Sequence, residues 1–235
     1  DQDFNPRRLE RYVALIAEGN IKPVILLSKS DLLAKEKIEQ KTASIHRRLP
    51  HVSIIAFSNT DKHNLDQVIA MFFPNQTYCM LGSSGVGKTT LLNRILGTDD
   101  FKTQGIRKIG KGKHTTTHRQ MIHLANGAFL IDTPGIREIA LMDNQSGIDQ
   151  TFEDIQSLSY NCRFKDCTHT HEKGCAVIDA LEEGTLSRER YQNYLKMKKE
   201  SAYYEMSYVE KRRKDKQLGK FYKSVMKNKI KKRNV

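Results

Sequence analysis

Tryptophan is absent from this 235-residue chain, and aromatic residues make up only 8% of it. No apolar run approaches the roughly 18 residues that a membrane-spanning helix needs. Pro23-Val24-Ile25-Leu26-Leu27 reads instead as a buried strand. The first residues hold no signal-peptide pattern. There are four cysteines, and three of them bunch with two histidines between residues 162 and 175. That grouping excludes a disulfide framework spread through the fold and points to a reducing compartment. These features argue against a membrane-spanning helix and against a disulfide framework within these residues. A cytoplasmic protein with no membrane partner is expected. The chain also lacks an initiating Met and opens on Asp1, so a fragment or trimmed chain is expected.

Negative charge is scarce at one end. Ser187 to Val235 holds 17 Lys/Arg against 5 Asp/Glu, a net +12, whereas the first 186 residues carry 23 against 22, a net +1. A nearly neutral body with a basic tail implies a polyanionic partner, nucleic acid ahead of membrane. Apolar residues at 38% suffice for a packed core, and the length allows one domain of typical size with a smaller appendage.

Short apolar strands alternate with helical patterns along the first half. Phe4 to Ala17 reads as a helix, with Leu9, Tyr12, Val13 and Ile16 on one face and Arg7, Arg8 and Arg11 on the others. Strands follow at 24–27, 52–57 and 77–81, with helices at 35–49, 64–73 and 89–96. Two strands around Asn126-Gly127 form a hairpin. Cys79, inside an apolar strand, is expected to be a buried core thiol. The pattern predicts an α/β domain over residues 1–150, with a mostly parallel sheet and helices on both faces. Residues 151–235 are expected to form a second, mainly helical domain. In it, one long helix runs from an N-cap at Ser187 to about Arg213, and the last twenty residues are frayed or disordered.

Gly82-Ser83-Ser84-Gly85-Val86-Gly87-Lys88-Thr89 matches the phosphate-loop pattern G-x-x-x-x-G-K-[ST] in full, between a strand and a helix. Its glycines let backbone N–H groups curl towards phosphate oxygens, and the helix N-terminus adds partial positive charge. Lys88 is expected on the β- and γ-phosphates and the Thr89 hydroxyl on Mg²⁺, with Thr90 beside them. Asp132-Thr133-Pro134-Gly135 ends an apolar strand. Asp132 suits Mg²⁺ held through water, and the Gly135 N–H suits the γ-phosphate. Between these motifs lies Lys113-His114-Thr115-Thr116-Thr117-His118. A Thr of this segment completes the Mg²⁺ shell; the three stay open, with Thr116 carried as the candidate. Upstream, Ser28-Lys29-Ser30-Asp31 follows an apolar strand. The Asp31 carboxylate can accept both guanine N1–H and N2–H₂, which adenine cannot offer. Lys29 would lie along the base, and Ser58-Asn59 after the next strand would supply an N–H to guanine O6.

Base reader first and phosphate loop second is the reverse of the ordinary GTPase order. The chain resembles the circularly permuted GTPases that assist biogenesis of the small ribosomal subunit (the RsgA/YjeQ type). The resemblance rests on Asp3-Phe4-Asn5, Arg8-Leu9-Glu10-Arg11-Tyr12, Gly82 to Leu92, Gly112 to Arg119 and Asp132-Thr133-Pro134-Gly135, and it covers residues 1 to about 200. It implies a GTP-hydrolysing assembly factor using Mg²⁺ with GTP or GDP. It further implies action late in maturation of the small (30S) subunit, contact with 16S rRNA, and a monomeric state. The family usually has Asn or Thr where this chain has Ser28, so one base-proximal contact is shorter. The family also usually carries an N-terminal OB-fold, which these 235 residues are expected to lack. Many GTPases orient the attacking water with a Gln after the Asp-x-x-Gly glycine; here Ile136 stands there, leaving His114 and His118 as candidates.

Cys162-x4-Cys167-x-His169-x5-Cys175 supplies three thiolates and one imidazole, a set suited to closed, tetrahedral, structural Zn²⁺. The resemblance implies the same four ligands, with His171 the local competitor. The competing reading of the whole chain is an RNA-binding module whose nucleotide site is regulatory rather than catalytic.

Overall fold

The structure is a computed structural model that describes residues 4–98, 120–132 and 144–233. The chain divides into two compact units, Asp1–Ile139 and Ala140–Val235.

In the first unit, α1 (Pro6–Ala17) starts where the Asn5 side chain accepts from the Arg8 N–H at 3.3 Å, with Pro6 in the first turn. Then come β1 (Val24–Leu27), a short 3₁₀ turn (Ser30–Leu32), α2 (Lys35–Arg48), β2 (Ser53–Ala56), α3 (Leu65–Ala70), β3 (Thr77–Met80), α4 (Lys88–Leu96), β4 (Gln120–His123) and β5 (Phe129–Asp132). Among the described residues the strands form two hydrogen-bonded groups rather than one. β1 pairs with β2 in parallel, while β5 lies between β3, its parallel neighbour, and β4, its antiparallel one. The Asn126-Gly127 turn joins β4 to β5, with Gly127 at φ 86°, a conformation that favours glycine.

Side-chain alternation sets the layers. Ile25 and Ile54 join Ile45, Leu49 and Val52, with Leu9 and Val13 of α1 packed alongside. Leu26 and Ile55 point the other way, into a core of Phe57, Leu65, Val68, Leu91, Leu92 and Leu130. Helices therefore cover both faces of the β1–β2 pair, as expected for α/β layering. A buried Glu10 carboxylate meets Arg48 at 3.1 Å and ties α1 to α2.

Cys79 corrects an expectation. Tyr78 and Met80 pack against the core, so the two-residue period turns Thr77 and Cys79 to the opposite face, where Cys79 is exposed. Apolar neighbours in sequence do not tell which face of a strand a residue takes.

Among the described residues the second unit contains only helices: α5 (Gln145–Thr151), α6 (Glu153–Ser159), α7 (Ala176–Glu182), α8 (Arg188–Glu205) and α9 (Tyr208–Arg233). α5 packs on α8 and so belongs with this unit rather than with the residues before it. Ile148, Phe152, Ile155, Val177, Tyr194 and Met197 are buried, and the Phe152 and Tyr194 rings meet tilted, with centres 5.5 Å apart. Arg190 anchors this core. Its guanidinium donates to Asp154 at 2.6 and 2.7 Å and to the Thr151 carbonyl at 3.0 Å, and it lies 4.7 Å from the Phe152 ring centre.

Two further expectations change here. Ser187 does cap α8, accepting from the Arg190 N–H at 3.2 Å, but that helix stops at Met206, whose ψ of 139° is extended. The Ser207 hydroxyl then accepts from the Glu210 N–H at 3.3 Å, while Glu210 accepts from the Ser207 N–H at 2.8 Å. This reciprocal capping box starts a new helix. The basic tail is thus helical through Arg233, not frayed. Its Lys, Arg, Gln and Met residues are good helix formers, and cations near a helix C-terminus are favoured.

Candidate nucleotide site and metal centre

Parallel pairing assembles the candidate nucleotide site. The register Val24↔Ser53 through Leu27↔Ala56 sends the loops after β1 and β2 out of the same sheet edge. Ser58, fully buried, donates to an Asp31 carboxylate oxygen at 2.6 Å. The same hydroxyl oxygen accepts from the Thr60 and Asp61 N–H groups at 3.0 and 3.3 Å, which fixes its direction. Lys29 adopts a left-handed backbone, φ 61° and ψ 39°, as the chain turns into the 3₁₀ segment carrying Asp31.

The phosphate loop sits in contact with this base-side pair. The Ser28 hydroxyl donates to the Val86 carbonyl at 2.6 Å, and the Asn59 amide donates to the Gly87 carbonyl at 3.5 Å. Ser28 is therefore a tether between the two loops. Gly85 and Gly87 take φ of 83° and 97°, and a Cβ on Gly87 would come within 3.2 Å of the Asn59 amide nitrogen. Both constraints demand glycine. α4 follows, with Lys88, Thr89 and Thr90 in its first turn. Lys88 Nζ donates to the carbonyls of Gly82 and Ser83, each at 2.8 Å. In the neighbouring pair, Met80 is opposite Asp132, so Asp132 ends its strand level with the entrance to the loop. His114, His118, Thr115 to Thr117 and Gly135 lie outside the described residues.

Ser28, Asp31, Ser58 and Asn59, on the loops after β1 and β2, thus meet the loop Gly82 to Thr89 that follows β3, in this order of elements. The sequence model of the family described as RsgA GTPase matches residues 1–142. The chain belongs to this family. Similar proteins include the small ribosomal subunit biogenesis GTPase RsgA 2 of Listeria monocytogenes, 44% identical over 206 residues, covering 87% of this chain and 59% of that protein. The protein of the same name from Vibrio vulnificus is 40% identical over 232 residues, covering 98% and 66%. The chain thus spans about three fifths to two thirds of these relatives. Among solved structures, YloQ, a circularly permuted GTPase, aligns with a TM-score of 0.58 at 27% identity over 87% of this chain and 66% of its own. YjeQ from Thermotoga maritima aligns with a TM-score of 0.60 at 24% identity, over 84% and 66%, and speaks for the fold alone. The chain thereby has a circularly permuted GTPase fold of mixed α/β content.

The second constellation lies in the helical unit. Cys162, Cys167, His169 and Cys175 place one ligand atom each within 4.8 Å of one another. His169 Nδ1 stands 3.6 Å from Cys162 Sγ and 3.4 Å from Cys175 Sγ, and those two sulfurs are 3.8 Å apart. Bonds of about 2.3 Å to sulfur and about 2.05 Å to nitrogen give a tetrahedron with edges of about 3.8 Å (S–S) and about 3.6 Å (S–N). The donor set and its spacing therefore fit Zn²⁺. His171 is exposed and bonds Thr170 Oγ1 at 2.8 Å instead.

Local chemistry builds this pocket. His169 adopts φ 58°, uncommon for a residue with a Cβ, and the Tyr191 hydroxyl holds its carbonyl at 2.6 Å. Glu172 grips the same loop, accepting from the N–H groups of Thr168 and Thr170 at 2.9 Å and of His171 at 3.1 Å, and from the Thr168 hydroxyl. The Thr168 hydroxyl, first among these, holds the Glu172 carboxyl well below the usual carboxylate range. Burial pushes the Cys175 thiol up to about 12 and holds His169 below its ordinary value. The site therefore resists charge until a cation supplies compensation. Tyr191 and Glu172 were not visible as functional in the sequence. They act through side-chain-to-backbone bonds that carry no motif.

Proposed function

We propose that this chain binds GTP with Mg²⁺ and hydrolyses it as an assembly factor in late maturation of the small ribosomal subunit, contacting 16S rRNA. The observation that carries the nucleotide reading is Asp31, oriented by buried Ser58, on loops tethered to the phosphate loop through Ser28 and Asn59. Base and phosphate recognition are thereby built as one unit. Lys88 and the loop N–H groups take the phosphates, and Asp31 takes guanine. Thr89 and Asp132 are the residues that would hold Mg²⁺, which when bound neutralises the charge developing between the β- and γ-phosphates. Gly135 and one of Thr115 to Thr117 sense the γ-phosphate, and His114 is the candidate to orient water in place of Ile136.

The names borne by the Listeria and Vibrio relatives support the ribosomal part of this reading. Charge supports an RNA partner: α9 carries 12 Lys/Arg against 2 Asp/Glu. Tyr160 and Phe164 are exposed beside Arg163 and Lys165 at the metal-site loop, a combination that suits stacking on unpaired bases. The helical unit is read as a zinc-binding domain, and the protein as a cytoplasmic monomer. No described helix is long and apolar enough to cross a membrane. GTP turnover measured with and without purified small subunits tests the proposal. Stimulation is expected, and its absence would sink the ribosome-coupled part.

A further inference from the structure

One cation meets the phosphate loop from outside the nucleotide-binding motifs. Arg8, in the first turn of α1, donates through Nη1 to the Ser83 hydroxyl, 75 residues away in sequence. The partner is neutral, and among the described residues no carboxylate pairs with this guanidinium. Arg8 is half-buried, and its helix is held in place by the Asn5 cap and the Glu10–Arg48 ion pair. Lys88 reaches the same residue, donating to the Ser83 carbonyl at 2.8 Å. Two cations therefore converge on Ser83, an arrangement that repels itself and becomes favourable when an anion sits between or beside them. A phosphate-loop lysine serves the β/γ end of a bound nucleotide, so Ser83 marks that end and Arg8 stands at it. The planar guanidinium has five donors suited to phosphate oxygens, and the contact with Ser83 uses one.

We infer that Arg8 is a further nucleotide-binding residue, which contacts the terminal phosphate of a bound nucleoside triphosphate and favours triphosphate over diphosphate. This deepens the nucleotide-binding reading above and rests on it. The test measures equilibrium binding of a fluorescent, non-hydrolysable GTP analogue and of fluorescent GDP, each with Mg²⁺, to the full chain and to Arg8→Gln and Arg8→Lys. The thermal melt of each variant is recorded alongside. For Arg8→Gln, affinity for the triphosphate is expected to fall about ten- to a hundredfold, the range for a charge-assisted hydrogen bond. Affinity for GDP stays within about twofold. Arg8→Lys keeps the charge and loses the fork, so it recovers part of the triphosphate loss, and it carries the test alone if Arg8→Gln melts early. Equal losses for both nucleotides would mean that Arg8 only holds the loop through Ser83; that result, or no loss at all, overturns the inference while leaving nucleotide binding intact. A wild-type chain that binds neither nucleotide overturns the nucleotide reading and this inference with it.

Discussion

Cys175→Ser is the sharpest perturbation of the metal centre. Cys175 is 1% exposed, and its sulfur lies 3.4 Å from His169 Nδ1 and 3.8 Å from Cys162 Sγ. The substitution leaves the backbone in place and removes one thiolate. Loss of a group that merely orients a ligand costs about 10–100-fold in metal affinity, so loss of a ligand costs more than about a hundredfold, or above about 2.7 kcal/mol. A hydroxyl left in this buried position without a full set of partners adds about 1–3 kcal/mol. The sum approaches the lower end of the whole stability of a small domain, about 5–15 kcal/mol. Apart from the Glu172 and Tyr191 bonds, the segment between α6 and α7 has little apolar packing, since Arg163, Phe164, Lys165, His171 and Lys173 are all exposed.

Two measurements check this. Zinc content is expected at one per wild-type chain and well below one for Cys175→Ser. Limited trypsin digestion is expected to cut at Arg163, Lys165 and Lys173 in the variant, and in wild type treated with a chelator, far faster than in the zinc-loaded protein. Acid acts in the same direction. Burial raises the Cys175 thiol to about 12, so binding metal expels a proton from sulfur and affinity rises with pH. Zinc is therefore lost as pH falls. Unchanged zinc content and an unchanged digestion pattern in Cys175→Ser would refute the reasoning.

Three further outcomes are expected. Asp31→Asn replaces one acceptor with an N–H donor, which opposes the guanine 2-amino group and matches the 2-carbonyl of xanthine. GTP affinity should fall about a hundredfold and xanthosine triphosphate affinity should rise, and competition binding with the two nucleotides decides it. Glu172→Ala releases the donors of Thr168, Thr170 and His171, so zinc should leave about 10–100-fold faster with stoichiometry still one, as followed by a chromogenic chelator; an unchanged rate counts against the role given to Glu172. Arg190→Ala strips a partner from Asp154, from the Thr151 carbonyl and from the Phe152 ring. It should destabilise the helical unit by about 3 kcal/mol in chemical denaturation, and a shift under about 1 kcal/mol would show the cluster to be incidental.

What the sequence disclosed was chemistry that is local. The strand, phosphate loop and helix around Gly82–Thr89 announce themselves within twenty residues, as do the Asn126-Gly127 turn and the Ser187 cap. The metal ligands span fourteen positions and need only their spacing. What stayed hidden depends on the third dimension or on competing signals. Cys79 looked like core because its neighbours are apolar, yet facing is set by alternation against a partner strand. Ser207 and Glu210 form a readable capping box, but the surrounding run of basic residues carried the opposite expectation of disorder. Arg8 appeared as one of three arginines on polar faces of α1. Its stretch carries part of the resemblance, but its partner lies 75 residues away and no local pattern names it.

The permuted order acquires a physical meaning from these contacts. Ser28, Asn59 and Arg8 all precede the phosphate loop in sequence, and each bonds to it: at Val86, Gly87 and Ser83. The residues proposed to read the base, and the cation proposed for the terminal phosphate, thus all lie upstream of the loop. The contacts do not depend on chain direction, because hydrogen bonds and packed layers are indifferent to where a chain is cut. What the cut alters is the continuation. β5 ends at Asp132, and within about thirty residues the chain enters the Cys162–Cys175 segment rather than returning to a base-reading loop. On the proposed reading, a change at Asp132-Thr133-Pro134-Gly135 on hydrolysis would pass along a short covalent path towards the segment that carries Cys162 to Cys175. Shortening that path couples the units more tightly and lengthening it loosens them, since effective concentration falls with linker length. Insertion of a flexible Gly/Ser segment after Ile139 should then leave GTP affinity unaltered while weakening stimulation of turnover by small subunits. Stimulation that survives the insertion would show that nucleotide state reaches the ribosome by another route.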